Sequence, residues 1–299
     1  MTDLSPIAPP APIAVIGLGR MGLPMARLLI AAGHPLRGAD PSREARAALA
    51  DAGGAAFDAG AEAAIGAAAL ILMLPDGDVV RAALFGPGGA LETLPPGALV
   101  IDMSSSAPMG TRALGADLAA RGHPLIDAPV SGGVRRAVDG TLAIMAGGED
   151  AHIAAAAPVF AVLGRETHRT GALGSGHAMK ALNNYVSGAG AAAAIEALQI
   201  GEAFGLAPGK MVEVLNASTG RNNTTEVKLA QFVLSGRFNS GFSIGLMAKD
   251  IRMAAALAEQ LGAGAGFAQT VAETWEGARD AQGAGADHTE IFRPAALKD

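Results

Sequence analysis

The sequence of 299 residues contains no cysteine. Disulfide bonds, thiol nucleophiles and thiolate metal sites are therefore excluded, and we assign no metal site to the chain. An excess of positive charge is also missing, because the formal net charge is −6 at pH 7. This balance argues against general electrostatic binding of nucleic acid or of anionic membranes. Any function of a basic residue should therefore depend on that single residue.

Long apolar runs are absent as well. The stretch from Ala63 to Pro75 is apolar but much shorter than the ~20 residues that a membrane-spanning helix needs. Residues 1–12 contain several prolines and no basic residue, which fits neither region of a secretory signal. We expect these residues to form a flexible tail and the protein to be cytoplasmic. The length of 299 residues suggests two domains.

Three glycines with the spacing GxGxxG lie between a predicted strand that starts at Ile13 and a predicted helix that starts at Met21. In that position glycines allow a tight turn and a close approach of the backbone to a pyrophosphate at the helix N-terminus. An incidental glycine turn is the alternative. The candidate dinucleotide loop consists of Gly17, Leu18, Gly19, Arg20, Met21 and Gly22.

The next predicted strand, PLRGA, ends in Asp40, which lies 23 residues beyond Gly17. An acidic side chain at about this distance binds the adenosine ribose in dinucleotide-binding folds. Asp40 should therefore favour NAD and repel the 2′-phosphate of NADP. Ser42 and Arg43 are close enough to soften that repulsion, so NADP stays possible.

Strands and helices alternate through the first half of the chain. We predict helices over 42–52, 76–84 and 108–120, strands over 70–74, 98–102, 141–148 and 165–170, and mostly helix after Gly171. Such alternation implies a parallel sheet with ligands at the carboxyl ends of its strands. The predicted fold class is α/β: an N-terminal Rossmann-type doubly wound sheet over 13–171, followed by an all-helical C-terminal domain over 172–299.

One of the loops after these strands offers groups that suit a small carboxylate. Ser131 carries a hydroxyl, and Gly132 and Gly133 expose backbone N–H groups. A simple glycine turn is the alternative interpretation.

The stretch from Gly171 to Asn184, GALGSGHAMKALNN, precedes a helix that is small and apolar on nearly every face. Such a helix is normally buried in a protein or an assembly, so the charge of Lys180 needs partners or a shifted pKa. Asn184 lies four residues on, on the same helical face. Lys180 and Asn184 can thus point into one cavity; the alternative is a surface lysine with asparagine caps.

A second lysine of interest, Lys249, lies downstream. It follows the apolar run Phe242 to Ala248 and directly precedes Asp250. Taken alone, this pattern is more typical of an ion pair on a helix surface.

Five ordered motifs together resemble the β-hydroxyacid dehydrogenase family. They are GLGRMGLPMA from Gly17, DMSSSAP from Asp102, DAPVSGG from Asp127, G-x2-G-x-G-x3-K-x2-N-N from Gly171, and FSIGLMAKD from Phe242. The resemblance runs from Ile13 to near the C-terminus. Two positions depart from it: the family often has Thr at Ser105 and Asn at Leu28.

The resemblance implies an NAD(P)-dependent oxidoreductase, similar to 3-hydroxyisobutyrate dehydrogenase, that interconverts a small 3-hydroxy acid and its semialdehyde. It implies that Lys180 is catalytic with Asn184, and that Ser131, Gly132, Gly133 and Asn184 hold the substrate. The remaining implied cofactor contacts, besides the glycine loop and Asp40, are Leu74, Pro75, Val79, Ser105, Phe242 and Lys249.

Other functions stay open from the residues alone. A reductase of tartronate semialdehyde or of another short semialdehyde would use the same groups, and a non-catalytic redox sensor would keep the Gly17 loop without needing Lys180 beside Asn184. A decarboxylating 6-phosphogluconate dehydrogenase would need further basic residues, such as Arg221. The many Gly and Ala faces from Ala181 to Leu206 predict close helix packing and a homodimer or homotetramer.

Overall fold

The computed structural model describes residues 4–264 and 266–292. Its contacts divide the chain into two compact units, Met1–Lys180 and Ala181–Asp299. Residues 1–3 of the expected tail and residues 293–299 of the expected helical domain lie outside the described part. Among the described residues, no helix combines the length and apolar character that a membrane crossing requires.

The first unit is built on a sheet of strands β1 Ile13–Ile16, β2 Leu36–Ala39, β3 Ala55–Phe57, β4 Ala69–Leu72, β5 Leu99–Asp102, β6 Leu125–Asp127, β7 Val130–Ser131, β8 Leu142–Gly147 and β9 Gly164–Gly171. Over the described residues the strand order is β3-β2-β1-β4-β5-β6-β8-β7, with β9 paired to β8. The first six strands run parallel, and the order reverses at β1. This is the predicted doubly wound arrangement, so the predicted fold class is confirmed.

Helices connect these strands, and the three predicted over 42–52, 76–84 and 108–120 begin and end within one residue of the prediction. Ser42 caps the second helix through its side chain, and Asp76 caps the fourth in the same way, as expected for short polar N-cap residues. The helices are α1 Gly22–Ala31, α2 Arg43–Asp51, α3 Gly60–Ala64, α4 Gly77–Phe85, α5 Pro108–Ala119, α6 Gly133–Asp139 and α7 Asp150–Leu163, with a 3₁₀ turn at Ala90–Glu92.

The last part of this sheet is mixed rather than parallel. Strand β8 pairs antiparallel with both β6 and β7, because the short α6 connection returns the chain beside the strand that it has just left. A parallel return needs a longer crossover. The sequence alternation does not distinguish these two cases.

Alternate side chains of the buried strands enter two separate cores, one on each face of the sheet. Ile13 and Val15 of β1 lie in one core, whereas Ala14 and Ile16 lie in the other. Strand β4 divides its residues in the same way. Strands buried on both faces carry continuous apolar runs, which explains why β1, β4 and β5 are recognisable in the sequence.

The N-terminal segment 4–12 differs from the expected flexible tail. Ile7 is only 5% exposed, belongs to the first core, and donates its backbone N–H to the carbonyl of Ala155 at 2.8 Å. Prolines restrict the chain without preventing it from lying along a surface, and the apolar side chain of Ile7 gains by burial.

The second unit is helical. It contains most of α8 Ser175–Phe204, followed by α9 Pro208–Ala217, α10 Ile244–Gln260 and α11 Gly266–Gln282, with a π-helix at Thr224–Val233 and a 3₁₀ turn at His288–Glu290. Trp275 of α11 is fully buried in its core and donates its indole N–H to the carbonyl of Gly188 at 3.2 Å. Helix α8 runs without a break through the division after Lys180.

Candidate active site

The three glycines of the Gly17 loop have different surroundings. A Cβ on Gly17 would lie 2.3 Å from the carbonyl oxygen of Met73, and one on Gly22 would lie 1.8 Å from that of Gly17. Nothing lies within 4 Å of the place that a Cβ on Gly19 would occupy. The first and third glycines therefore allow the strand, turn and helix to pack closely, and the second leaves its backbone open to an approaching group.

Asp40 stabilises the same loop from the end of β2. One carboxylate oxygen accepts from Leu18 N and the other from Ser42 N, each at 2.8 Å. Each oxygen keeps a further lone pair for a ribose hydroxyl. Arg43, three residues later in the chain, is exposed.

The loops after β4 and β5 are bonded to each other. The Ser104 hydroxyl accepts from the backbone N–H of Leu74 at 3.0 Å, and Asp102 accepts from the backbone N–H of Ser104 at 3.0 Å. Because β4 pairs in parallel with β1, and β5 pairs in parallel with β4, Leu74, Pro75 and Ser105 lie at the same sheet edge as the Gly17 loop. Val79, in the first turn of α4, is 39% exposed.

The Ser131 loop follows β6 and ends at the start of α6. Gly132 and Gly133 have φ angles of +132° and +69°, which only glycine adopts readily. Both are exposed, and Ser131 pairs with Ala143 of β8. The backbone is thus turned sharply at the carboxyl end of β7, between Ser131 and the start of α6.

Helix α8, which carries Lys180, begins at the carboxyl end of β6. Asp127, the last residue of β6, accepts from Gly174 N through Oδ1 and from His177 N through Oδ2, each at 2.7 Å. The helix starts so close that a Cβ on Gly176 would lie 2.3 Å from the carbonyl oxygen of Met145. The space beside Gly176 is therefore filled by the protein itself.

His177 is buried between both neighbouring strand ends. Its Nε2 lies 3.2 Å from the carbonyl oxygen of Ser104, and its Nδ1 lies 2.8 Å from the hydroxyl of Thr111. The carboxylates of Asp102 and Asp127 are 3.8 and 3.7 Å from the ring nitrogens. Burial raises the pKa of Asp127, and the nearby His177 and the two backbone donors counteract that rise.

In the second unit, Asn184 and Lys249 meet at one buried carboxylate. Asn184 Nδ2 donates to Asp250 Oδ2 at 2.6 Å, and Lys249 Nζ lies 3.6 Å from Asp250 Oδ1. Asn183 donates its amide to Asn184 Oδ1 at 3.1 Å. The side chain of Lys249 is 28% exposed and that of Asp250 only 3%, so this is a partly buried charge pair rather than a pair on an open helix surface.

Two other sequence candidates of the second unit take part in local structure. The carbonyl of Phe242 accepts from His288 N at 2.9 Å, and the two rings meet edge to face at 5.9 Å. Arg221 has a side chain that is 63% exposed and lies 3.6 Å from Glu226.

Sequence reasoning missed four buried polar residues at these sites: Thr111, Asp127, His177 and Asp250. Thr111 and His177 are ordinary in their local sequence, and the link between Asp127 and α8 joins residues about 50 positions apart. Asp250 carried one usable signal, since it directly follows Lys249 at the end of the FSIGLMAKD motif.

Two family models together cover nearly all of the chain. The one described as the NAD binding domain of 6-phosphogluconate dehydrogenase matches residues 12–173. The one described as NAD-binding of NADP-dependent 3-hydroxyisobutyrate dehydrogenase matches residues 174–295.

Individual relatives agree with these models. The 3-sulfolactaldehyde reductase of Escherichia coli is 39% identical, with 84% of each chain covered. The 3-hydroxyisobutyrate dehydrogenase of Pseudomonas aeruginosa is 37% identical, with 83% of this chain and 85% of the relative covered. The solved structure of Mycobacterium tuberculosis 3-hydroxyisobutyrate dehydrogenase with L-serine has a TM-score of 0.87 at 33% identity and covers 94% of this chain and 97% of that one. With the glycine loop on a doubly wound sheet and a helical second unit, these matches show that the chain belongs to the β-hydroxyacid dehydrogenase family of NAD(P)-dependent oxidoreductases.

Proposed function

We propose that this enzyme interconverts a small 3-hydroxy acid and its semialdehyde by hydride transfer with NAD(P), with Lys180 as the group that moves the proton. The observation that carries this proposal is the bonding of the start of α8 to Asp127 at the end of β6. It ties the turn before Lys180 to the sheet edge that also carries the Gly17 loop. Ligands of doubly wound folds bind at this edge.

The Gly17 loop fits a dinucleotide. Gly19 leaves open space at its Cα, whereas Gly17 and Gly22 are closed in by backbone, so the pyrophosphate would lie against Gly19 and the N-terminus of α1. Leu74, Pro75, Val79 and Ser105 would line the cofactor, and Asp40 would accept from the ribose hydroxyls. This arrangement favours NAD over NADP, because a 2′-phosphate would meet the Asp40 carboxylate.

The Ser131 loop would hold the substrate's carboxylate. Its hydroxyl and the N–H groups of Gly132 and Gly133 can donate to a carboxylate without a full positive charge. The relative from Escherichia coli is named for an aldehyde that carries a sulfonate, and that from Pseudomonas aeruginosa for a hydroxy carboxylic acid. An anionic group close to the reacting carbon is common to both names.

Lys180 would manage the single proton of the reaction. The nicotinamide supplies or accepts the hydride. During reduction, protonated Lys180 donates to the forming alkoxide; during oxidation, neutral Lys180 takes the hydroxyl proton. Asn184, oriented by Asp250, would hold the substrate hydroxyl. Phe242 and Lys249 would contact the cofactor.

The first experiment tests the proton transfer. Lys180→Ala should lower kcat by about 10²- to 10⁴-fold while the dissociation constant for NAD stays close to that of the wild type. Lys180→Arg is the matched control: it keeps the charge but should not restore oxidation, because a guanidinium does not give up its proton. If Lys180→Ala kept more than about a tenth of the wild-type kcat, the proton would have to move through another group or water.

A second experiment identifies the substrate class. We expect turnover with small 3-hydroxy acids, including 3-hydroxyisobutyrate and glycerate, when each is assayed with NAD and with NADP. Preference for tartronate semialdehyde over 3-hydroxyisobutyrate would support the alternative reductase function. Cofactor binding without turnover of any member would support the redox sensor, and a kcat/KM with NADP equal to that with NAD would refute the role given to Asp40.

We further propose a cytoplasmic homodimer or homotetramer assembled through α8. Large apolar side chains of this helix are exposed in the single chain: Val186 is 68%, Ile200 65% and Phe204 83% exposed. Residues that repeat at three or four positions form one helical face, and another helix packed there would remove this surface from water. Light scattering at micromolar concentration should give at least a dimer. The Ile200→Glu, Phe204→Glu double variant should shift it towards monomer; a monomeric wild type would refute the assembly.

A further inference from the structure

The start of α8 lies at an unusual polar cluster in the first unit. Asp102, Asp127 and His177 are almost completely buried, and they come from two strand ends and from the helix that carries Lys180. Buried charges are costly unless each is paired and hydrogen-bonded. Here nearly every polar atom of the cluster has a hydrogen-bond or ion-pair partner, so the cluster is a defined part of the folded structure.

Asp127 does for α8 what an N-cap residue normally does for its own helix. The first N–H groups of a helix have no partner within it, and a side-chain oxygen usually accepts one of them. The Asp127 carboxylate accepts two, from Gly174 and His177 at 2.7 Å each, although it lies about 50 positions earlier in the chain. Its negative charge also lies at the positive end of the helix dipole.

His177 fixes the rotation of the same turn. Its Nε2–H donates to the carbonyl of Ser104, and Nδ1 pairs with the hydroxyl of Thr111. A ring held on both edges cannot turn without breaking a buried hydrogen bond. Since residues three apart lie on neighbouring positions of a helix, the direction of the Lys180 side chain follows from that of His177.

We infer that Asp127 and His177 are positioning residues for Lys180, because they hold the first turn of α8 at a single place and rotation against the ends of β5 and β6. This inference rests on the proposed function for the catalytic role of Lys180. Neither residue is required to touch the substrate or the cofactor. Displacement of a reacting group by about 1 Å can cost about 10²-fold in rate, so loss of either residue should act mainly on kcat.

The kinetic test is a double-mutant cycle. Asp127→Asn places an amide N–H₂ against a backbone donor, and His177→Gln keeps a donor for the Ser104 carbonyl but loses the Thr111 partner. Each should lower kcat by up to about 10²-fold and leave the NAD dissociation constant within twofold. In a Lys180→Ala background each should change kcat less than twofold, because groups that act as a unit are not additive. Equal losses in both backgrounds would overturn the inference.

A spectroscopic test does not depend on catalysis. The chain has five lysines, so a protein with ¹³C-methylated amines gives a small set of lysine signals, and Lys180→Arg assigns one of them. Asp127→Asn and His177→Gln should move the chemical shift and titration midpoint of the Lys180 signal and leave the other lysine signals in place. An unmoved Lys180 signal would overturn the inference even if Lys180 proved not to be catalytic.

Two further variants separate positioning from general damage. His34→Gln alters another buried histidine of the first unit, which bonds to the carbonyl of Ala11, and should leave both kcat and the Lys180 signal unchanged. If it moved that signal as much as His177→Gln does, positioning would be wrong. Thr111→Val removes a single hydroxyl. It should lower kcat and move the Lys180 signal as His177→Gln does, but by less, and this test remains even if Asp127→Asn does not fold.

Discussion

Gly176 offers a quantitative test of how closely α8 approaches the sheet. In Gly176→Ala the new Cβ would lie 2.3 Å from the carbonyl oxygen of Met145 and 2.9 Å from two oxygens of Asp127. Favourable contact between non-bonded heavy atoms lies near 3.5 Å, so the helix start would have to retreat by about 1 Å. The neighbours are backbone atoms and a buried carboxylate, and none is the end of a flexible side chain.

The expected cost follows from two opposing effects. Overpacking of this kind destabilises by about 1–3 kcal/mol, whereas replacing a helical glycine by alanine contributes about 0.5–1 kcal/mol in the other direction. Taking the middle of each range, we expect the free energy of unfolding to fall by about 1–2 kcal/mol. For a unit of this size that corresponds to a melting temperature lower by roughly 2–8 °C.

Gly110→Ala is the matched control. Gly110 is an exposed glycine of α5 whose Cβ would approach only Ala107, at 4.0 Å, so this variant should be as stable as the wild type or up to about 1 kcal/mol more stable. Urea unfolding followed by circular dichroism measures both variants, and the emission of the only tryptophan, Trp275, reports the second unit separately. If Gly176→Ala were as stable as Gly110→Ala, the close approach of α8 to β6 and β8 would be wrong.

Three further predictions concern single groups. Burial and Lys228 lower the pKa of His288 to about 4, and Asp287 opposes this shift. A histidine whose pKa is lower in the folded state than in the unfolded state destabilises the fold as the pH falls below the pKa of the unfolded state. The second unit should therefore lose about 3 kcal/mol of unfolding free energy between pH 6.5 and 4. Urea unfolding followed by tryptophan emission should show this loss in the wild type and much less of it in His288→Gln. If the unfolding free energy depended on pH equally in both proteins, the prediction would be refuted. Ser104→Ala leaves the partly buried backbone N–H of Leu74 without this acceptor and should lower the free energy of unfolding by about 1 kcal/mol; no change by urea unfolding would contradict that bond. Lys249→Ala should weaken NAD binding and lower kcat, each by more than twofold, in titration and steady-state kinetics; smaller changes would make the Lys249–Asp250 pair purely structural.

The sequence was sufficient where the relevant physics is local. Strands β1 and β4 are short runs buried on both faces, and Gly17 and Gly22 lie in a turn that excludes a side chain. These signals need only neighbouring residues to be interpreted. The doubly wound fold and the tight glycine turn after β1 could therefore be predicted.

What the sequence could not predict depends on contacts between distant parts of the chain. Nothing near Asp127 indicates that its oxygens cap a helix starting some 50 residues later. The antiparallel direction of β8 is decided by pairing with β6 and β7, which period-two patterns do not report. The apolar residue Ile7 looked like part of a tail, because its partner lies on α7.

The long-range bonds of Asp127 also set an order of events during synthesis. Gly174 and His177 leave the ribosome only after the sheet-forming residues before them, and pairing over long sequence separations is slow to form. Until they arrive, the carboxylate of Asp127 is left without its two backbone donors. A fragment that ends at Gly171, the boundary that the sequence suggests for the first domain, would keep this defect permanently. Separate expression of the nucleotide-binding unit should therefore include at least the first turn of α8.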